Sequence, residues 1–213
     1  MNWHGYDLIC FDFDGVLVDS EALHFNAYKQ MCAKRGISLK WDEKEYAKFA
    51  LYSSDGLKKA LLKEFPTLAA VGWDTLYAEK KAEYQSLLEK NVALMPGVEA
   101  FLQTLKGLPT CVVTNSSRLQ VERIKQMHPI LQTIPRWITR EDYQNPKPSP
   151  ECYQLASKGT KNVIGFEDSP RGLNALLESG AEGILVTSVL SQEEIAKLNG
   201  KFRHIETFHS LLP

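Results

Sequence analysis

Short apolar runs recur along the chain, and polar or turn-forming residues separate them. Five of these runs are rich in β-branched or aromatic residues and lie at 6–13, 110–114, 136–139, 163–166 and 183–186. Such short, nearly continuous apolar runs are typical of strands that are buried on both faces of a parallel sheet. We therefore predict five buried strands that pair in parallel.

Helix-length segments separate the later runs, and several of them carry signals for a helix start. The signals are Ser149 before Pro150, Ser169 before Pro170, and Ser191 with Glu194 three residues later. A serine at this position accepts a hydrogen bond from a first-turn amide, and proline fits the first helical position. The alternation of strands and helices predicts an α/β fold with a doubly wound parallel sheet. In such folds the ligand site lies at the carboxyl ends of the strands.

The segment 20–94 interrupts this alternation. It has helical periodicity, for example at Leu57 and Leu61, and no convincing strand-like run. We predict that it is an inserted helical domain, and that 1–19 and 95–213 together form the α/β core.

Composition and charge limit the class of partner. The chain has 213 residues, of which 44% are hydrophobic and 24% charged, and its formal net charge is -1 at pH 7. These values are ordinary for a globular protein with a sizeable core. Proteins that bind nucleic acids usually carry a basic excess, which this chain lacks. We therefore expect a small-molecule partner and no nucleic acid.

The amino terminus and the cysteines bear on the compartment. No basic start followed by a long apolar stretch is present, so we expect neither a signal peptide nor a membrane span, and no membrane partner. The four cysteines are isolated, without a C-x-x-C pair: Cys10, Cys32, Cys111 and Cys152. Buried, reduced thiols in a cytoplasmic protein are the expectation. The sequence does not indicate an oligomeric state.

Two carboxylates lie at the end of the first apolar run. Asp12 and Asp14 are two residues apart, and Gly15 comes directly after them. In an extended chain the two aspartates share a face, and glycine permits a turn that lifts them out of the sheet. Because carboxylates this close repel each other, a positive partner is expected between them. Mg²⁺ prefers oxygen ligands of this kind.

Three further strand ends or loops carry polar groups that suit phosphate chemistry. They are Thr114, Asn115 and Ser116 after the second run, Lys147 between two prolines, and the adjacent acids Glu167 and Asp168 before a helix start. Acids for a metal, hydroxyl and amide groups for phosphate oxygens, and a lysine for charge are the components that phosphoryl transfer requires.

These four segments, in this order, resemble the haloacid dehalogenase superfamily of phosphotransferases. Its motifs are similar to D-x-D-G at Asp12, the threonine at Thr114, the lysine before a proline at Lys147, and F-E-D-S at 166–169. The phrases DGVLVDSE and FEDSxxG look like the branch that contains β-phosphoglucomutase and phosphoglycolate phosphatase. The resemblance covers essentially the whole chain and implies a Rossmann-like core with a small helical cap inserted after the first motif.

The resemblance also implies roles for individual residues. Asp12 would be the nucleophile that forms an aspartyl-phosphate, and Asp14 the acid and then the base. Thr114, Asn115, Ser116 and Lys147 would bind the phosphoryl group, and Lys147 would balance charge. Mg²⁺ would be held by Asp12, Asp14 through its carbonyl, Glu167 and Asp168.

The cap offers two candidate substrate residues, His24 and Lys80, which resemble the D-S-E-x-x-H and K-x-x-x-Y patterns of relatives. For His24 the alternative is a structural role. For Lys80 it is a solvated charged face, because Glu79 and Glu83 are its neighbours on a helix. The cap loop at 50–61, ALYSSDGLKKAL, departs from the glycine or arginine loop common in relatives, so the substrate stays open.

The function predicted is a Mg²⁺-dependent phosphatase that hydrolyses small phosphorylated metabolites, of the sugar phosphate or phosphoglycolate type, through an aspartyl-phosphate. The alternative is a phosphomutase of the β-phosphoglucomutase kind, which needs the same motifs. A signalling receiver domain would need no helical insert, and an inactive scaffold would not keep every chemical position filled.

Overall fold

The computed structural model describes residues 2–50, 55–90 and 92–212. The chain divides into two compact units, Met1–Asp19 with Ala93–Pro213, and Ser20–Val92. The insert was expected to extend to residue 94, but residues 93 and 94 pair with the first unit. The amide of Asp19 donates to the carbonyl of Ala93 at 2.9 Å, and Leu94 forms an antiparallel bridge with Val18.

Within the described residues, the first unit contains one six-stranded parallel sheet. Its strands are β1 (Leu8–Phe11), β2 (Thr110–Val113), β3 (Arg136–Ile138), β4 (Val163–Glu167), β5 (Glu182–Val186) and β6 (Phe202–Ile205). Their order across the sheet is β3-β2-β1-β4-β5-β6, and every neighbouring pair is parallel. The predicted fold class is therefore confirmed.

The centre of the sheet is also the centre of the core. Every residue of β1, β2 and β4 is buried, as expected for strands covered on both faces. Phe11 of β1 stacks on Phe166 of β4, with ring centroids 5.0 Å apart and planes 4° from parallel. The chain proceeds outwards in one direction from β1 to β3 and in the other from β4 to β6. The point between β1 and β4 is thus the topological switch point, where open α/β sheets bind ligands.

The sixth strand was not predicted from the sequence. β6 reads Phe-Arg-His-Ile, and its side chains are half-buried or exposed, so it lacks a continuous apolar run. The first strand is shorter than the predicted 6–13, because a tight turn begins after it. In this turn the amide of Leu17 donates to the carbonyl of Phe13 at 2.9 Å. The amide of Gly15 donates to the carbonyl of Val18 at 2.8 Å.

The second unit is helical in its described residues. Its helices are α1 (Ser20–Ala33), α2 (Glu43–Ala50), α3 (Gly56–Glu64) and α4 (Trp73–Leu88), with a 3₁₀ turn at Pro66–Val71. α1 packs against α4, and an apolar cluster that includes Phe25, Met31, Leu61 and Leu76 forms its core.

The remaining helices belong to the first unit. They are α5 (Val98–Thr104), α6 (Arg118–Met127), α7 (Glu151–Ala156), α8 (Pro170–Glu178) and α9 (Gln192–Ala196), with 3₁₀ turns at Trp3–Gly5, Pro129–Thr133, Arg140–Asp142 and Phe208–Leu211. Two predicted helix starts are confirmed, because Ser169 caps α8 and Ser191 forms a capping box with Glu194. The third was one residue early: α7 begins at Glu151, and Pro150 rather than Ser149 is its N-cap residue.

None of the helices in the described part of the chain is long and apolar enough to cross a membrane. All four cysteines are buried and free, as predicted.

Candidate active site

Three acids meet where β1 and β4 end. Asp12 follows β1 and keeps the strand pairing, since its amide donates to the carbonyl of Phe166 at 2.9 Å. Glu167 is the last residue of β4, and Asp168 follows it. One carboxylate oxygen from each of Asp12, Glu167 and Asp168 lies within 4.8 Å of the other two. The structure thus brings these three predicted residues together at the switch point of the sheet.

Two glycines leave room for these carboxylates. A Cβ atom on Gly15, whose φ is +75°, would lie 2.1 Å from Oδ2 of Asp168. A Cβ atom on Gly172, in the first turn of α8, would lie 2.0 Å from Oε2 of Glu167. Real Cβ atoms do not approach oxygen this closely, so any larger residue at either position would displace an acid.

The two oxygens of Glu167 have different surroundings. Oε1 accepts hydrogen bonds from Lys147 at 2.7 Å and from Tyr153 at 2.5 Å. Oε2 is buried and has no hydrogen-bond partner among the described residues. Leaving a buried polar atom unsatisfied costs about 1 to 3 kcal/mol, and more if it is charged. A donor set of clustered carboxylates with one unsatisfied buried oxygen fits a hard divalent cation such as Mg²⁺.

Lys147 supplies positive charge at the centre of the site. Its side chain is buried, and Nζ donates to Oδ1 of Asp12 at 2.8 Å, to Oε1 of Glu167 at 2.7 Å and to the carbonyl of Val113 at 2.8 Å. The peptide bond between Lys147 and Pro148 is cis. Lys147 therefore lies beside Asp12, where the sequence analysis expected it.

The charges of these groups depend on one another. Burial alone would lower the pKa of Lys147, but the carboxylates of Asp12 and Glu167 outweigh it and raise that pKa above its ordinary value. Burial, together with the nearby Asp12 anion, raises the pKa of Glu167 to about 7, although Lys147 and Tyr153 act against the shift. Lys147 is thus a permanent cation, and Glu167 is a carboxylate that a further cation would favour in its charged form.

Asp14 lies among hydroxyl groups at the end of β2. Its Oδ2 accepts hydrogen bonds from Oγ of Ser116 at 2.5 Å and from Oγ1 of Thr114 at 3.4 Å. Nε2 of Gln120, on α6, lies 3.5 Å from Oδ1 of Asp14 and 3.2 Å from Oγ of Ser116. Among the described residues, the three-acid cluster does not include the carboxylate of Asp14.

The side-chain amide of Asn115 is held at its oxygen end. Its Oδ1 accepts hydrogen bonds from the hydroxyl of Tyr143 at 2.6 Å and from the amide of Lys147 at 3.3 Å. The same hydroxyl lies 2.9 Å from the carbonyl of Thr114, so its single proton is shared between the two acceptors. Because both contacts hold the oxygen end of the amide, the Nδ2 group of Asn115 is the end that can donate to an anion.

Three residues of the site were not predicted from the sequence: Tyr143, Tyr153 and Gln120. Both tyrosines are buried, and their spacing from the motifs is compatible with an ordinary core position. Buried tyrosine hydroxyls usually find a partner, and this is the signal that could have drawn attention to them. The partners themselves were not foreseeable, since Tyr143 bonds to residues 28 and 29 positions away.

His24 and Lys80 meet inside the second unit. Nζ of Lys80 lies 2.5 Å from Nδ1 of His24, and the His24 ring stacks on Tyr84 with centroids 4.1 Å apart. Nζ of Lys80 also lies 5.1 Å and 5.2 Å from the ring centres of Tyr28 and Tyr84. Burial, followed by the charge of Lys80, holds the pKa of His24 well below its usual range. His24 is therefore neutral, and its Nδ1 accepts a hydrogen bond from Nζ of Lys80.

The alternative of a solvated face for Lys80 is wrong, because only 5% of the residue is exposed. Lys81, its neighbour on α4, is exposed. Of the cap loop at 50–61, residues 51–54 lie outside the described part of the chain.

Residues 6–180 match the family of haloacid dehalogenase-like hydrolases. The protein CbbY of Cereibacter sphaeroides is 26% identical over 219 residues, which cover 96% of this chain and 94% of CbbY. The 6-phosphogluconate phosphatase of Escherichia coli is 28% identical over 183 residues, which cover 83% of this chain and 80% of that enzyme. The crystal structure of a HAD hydrolase of family IA, variant 3, from Entamoeba histolytica is similar with a TM-score of 0.73 and 26% identity, over 96% of this chain and 94% of that one. Since the family match extends over well more than half of the chain, this protein belongs to the haloacid dehalogenase-like hydrolases.

Proposed function

We propose that the protein is a Mg²⁺-dependent phosphatase that hydrolyses small phosphorylated metabolites, of the sugar phosphate or phosphoglycolate type, through an aspartyl-phosphate on Asp12. The observation that carries the proposal is the position of Asp12. It is hydrogen-bonded to the buried Lys147 on one side and is a member of the three-acid cluster on the other. The names of similar proteins support the substrate class, since one of them is a 6-phosphogluconate phosphatase.

In the first step, a carboxylate oxygen of Asp12 forms a bond to phosphorus while the ester bond from phosphorus to the metabolite oxygen breaks. Lys147 holds the Asp12 carboxylate in a fixed orientation and offsets its charge as the phosphate anion approaches. In this proposal Nδ2 of Asn115 donates to one phosphoryl oxygen, and the hydroxyl of Thr114 turns its proton from Asp14, which lies 3.4 Å away, to another. When bound to Asp12, Glu167, Asp168 and the Asp14 carbonyl, Mg²⁺ would supply further positive charge for the phosphoryl oxygens.

Asp14 is the proton carrier of the proposal. It gives a proton to the departing metabolite oxygen in the first step. In the second step it takes a proton from water, whose oxygen attacks phosphorus and releases inorganic phosphate from Asp12. Ser116 positions the Asp14 carboxylate through the hydrogen bond that it donates to Oδ2 at 2.5 Å.

His24 and Lys80 are proposed as substrate-selecting residues of the second unit. Lys80 is a buried cation whose contacts include a neutral histidine and the faces of aromatic rings. An anionic or hydroxyl-rich substrate could accept hydrogen bonds from such a group. The four buried, free thiols favour a reducing compartment, and we propose the cytoplasm.

A panel of phosphorylated metabolites, assayed for inorganic phosphate with Mg²⁺ and with excess chelator, tests the proposal. Phosphate release that depends on Mg²⁺ and collapses in Asp12→Asn supports it, because this variant loses the attacking charge and nearly keeps the shape. Full activity in excess chelator, or a tenth of the activity in Asp12→Asn, would contradict it. Isomerisation of β-glucose 1-phosphate, run beside the panel, distinguishes a phosphomutase from a phosphatase.

A further inference from the structure

Glu167 is held by its oxygen Oε1, while no donor within residues 2–50, 55–90 and 92–212 contacts its oxygen Oε2. Oε1 lies 2.7 Å from Nζ of Lys147 and 2.5 Å from the hydroxyl of Tyr153. Oε2 is buried without a hydrogen-bond partner among the described residues, in the space that Gly172 leaves open. Both known contacts of this carboxylate therefore act on the same oxygen.

Counting protons shows which way the Tyr153 hydroxyl donates. The ammonium of Lys147 has three protons. Four acceptors surround it: Oδ1 of Asp12 at 2.8 Å, Oε1 of Glu167 at 2.7 Å, the carbonyl of Val113 at 2.8 Å, and the oxygen of Tyr153 at 3.2 Å. The three shorter contacts take the three protons, and an ammonium cannot accept a hydrogen bond. The hydroxyl proton of Tyr153 is therefore directed to Oε1 of Glu167, which lies 2.5 Å away.

The last torsion of a glutamate side chain is soft, so the carboxylate group of Glu167 would otherwise rotate easily. Two donors on Oε1 prevent this rotation and keep Oε2 on the opposite side. We propose that Tyr153 is a positioning residue: its hydroxyl locks the Glu167 carboxylate so that Oε2 is presented to the divalent cation. This inference rests on the proposed function, because it assumes that the three-acid cluster binds Mg²⁺. Hydrogen-bond partners of metal ligands act in this way, and their loss typically weakens metal binding by roughly 10- to 100-fold.

The hydroxyl of Tyr153 can be separated from the packing of its ring. The ring is buried on α7 within an apolar cluster that also contains Cys10, Val113 and Leu176. A phenylalanine keeps these contacts and removes only the donor to Glu167.

Tyr143 offers a matched control. It is also buried and belongs to the same apolar cluster. Its hydroxyl shares one proton between the carbonyl of Thr114 and Oδ1 of Asn115, instead of donating to an acid of the three-acid cluster. Tyr143→Phe therefore removes a comparable hydroxyl from the phosphate-binding side of the site. It should weaken inhibition by inorganic phosphate and leave Mg²⁺ binding as in the wild type.

The experiment titrates Mg²⁺ into the full chain without substrate. The midpoint of thermal unfolding, measured at each Mg²⁺ concentration, reports the binding. For Tyr153→Phe we expect the Mg²⁺ dissociation constant to rise by roughly 10-fold or more. In activity assays the half-saturating Mg²⁺ concentration should rise in parallel, and higher Mg²⁺ should recover the lost turnover. A purely structural role would lower the unfolding midpoint without changing the Mg²⁺ dependence.

A double variant tests whether Tyr153 acts through Glu167. In a Glu167→Gln background, Tyr153→Phe should cause no further loss of Mg²⁺ affinity, because the carboxylate that it positions is gone. The inference is overturned if the wild type binds Mg²⁺ and Tyr153→Phe binds it equally well, or if Tyr143→Phe weakens Mg²⁺ binding as much. A wild-type protein that shows no Mg²⁺-dependent shift would instead contradict the metal site of the proposed function.

Discussion

Each unit of the molecule buries a lysine, and the surroundings of the two lysines are opposite in character. Lys147 in the first unit and Lys80 in the second are each only 5% exposed. Lys147 donates to two carboxylates and a carbonyl. The contacts of Lys80 include a neutral histidine and the faces of Tyr28 and Tyr84.

The difference indicates two uses of a buried cation. Between Asp12 and Glu167 the charge of Lys147 is already matched by anions, so it can hold the acids of the core in place for chemistry that every substrate shares. Lys80, in contrast, is proposed to act in substrate selection, so its effect is expected to differ from one phosphate ester to another.

The largest effect is expected for Lys147→Met, which leaves the carboxylates of Asp12 and Glu167 without the ammonium between them. We expect kcat/KM to fall by roughly 10³-fold for every phosphate ester, activated aryl phosphates included, because the charge acts on the phosphoryl group itself. Steady-state kinetics with one aryl phosphate and one sugar phosphate measure this. A loss confined to one of the two substrates would place Lys147 with the selecting residues instead.

A second change separates proton transfer from charge within the first unit. Asp14→Asn removes the proton carrier, so esters with poor leaving groups, such as sugar phosphates, should lose about 10²-fold or more in kcat/KM. Activated aryl phosphates need little protonation and should lose much less. Equal losses on both would mean that Asp14 mainly orders the metal site.

Lys80→Met and His24→Ala should act on substrate choice. We expect a roughly 10- to 100-fold loss of kcat/KM on the preferred natural substrate, which is the range of one hydrogen bond to a charged group. Small aryl phosphates should be nearly unaffected. Lys81→Met, an exposed change on the same helix, is the control. If Lys80→Met slows aryl phosphates as strongly as sugar phosphates, the two lysines do not differ in the way proposed.

The smallest expected effect is on stability. Methionine at Lys80 would keep contact with Tyr28 and Tyr84, whereas methionine at Lys147 would leave two buried carboxylates facing each other. Lys147→Met should therefore lower the free energy of unfolding by about 1 to 2 kcal/mol more than Lys80→Met, measured by urea unfolding in excess chelator. The reverse order would show that the carboxylates relax when the ammonium is removed.

The chemistry at the strand ends could be predicted because polar residues there interrupt apolar runs. Asp12, Glu167 and Asp168 each follow or end such a run, and parallel strands bring their carboxyl ends to one edge. β6 escaped prediction because its four residues are half-buried or exposed and form no apolar run.

The second unit was harder to predict, since a charged residue with charged neighbours resembles a solvated face. Lys80 is nevertheless four residues from both Leu76 and Tyr84, which are buried on α4. That spacing puts all three on one face of the helix, so the burial of Lys80 was visible in the periodicity. The hydrogen-bond partners of the Tyr143 and Tyr153 hydroxyls could not be predicted from the sequence, because they depend on tertiary contacts between distant segments.

The central claim is that Asp12 becomes phosphorylated, and chemical trapping tests it most directly. Asp14→Asn should slow the second step, so the aspartyl-phosphate accumulates after mixing with Mg²⁺ and an aryl phosphate. Borohydride reduces an acyl phosphate to an alcohol, which would convert residue 12 to homoserine. Peptide mass spectrometry should then find homoserine at position 12, and no such change after Asp12→Asn. Unmodified Asp12 under conditions of continued turnover, or a reduced acid elsewhere in the chain, would contradict the account.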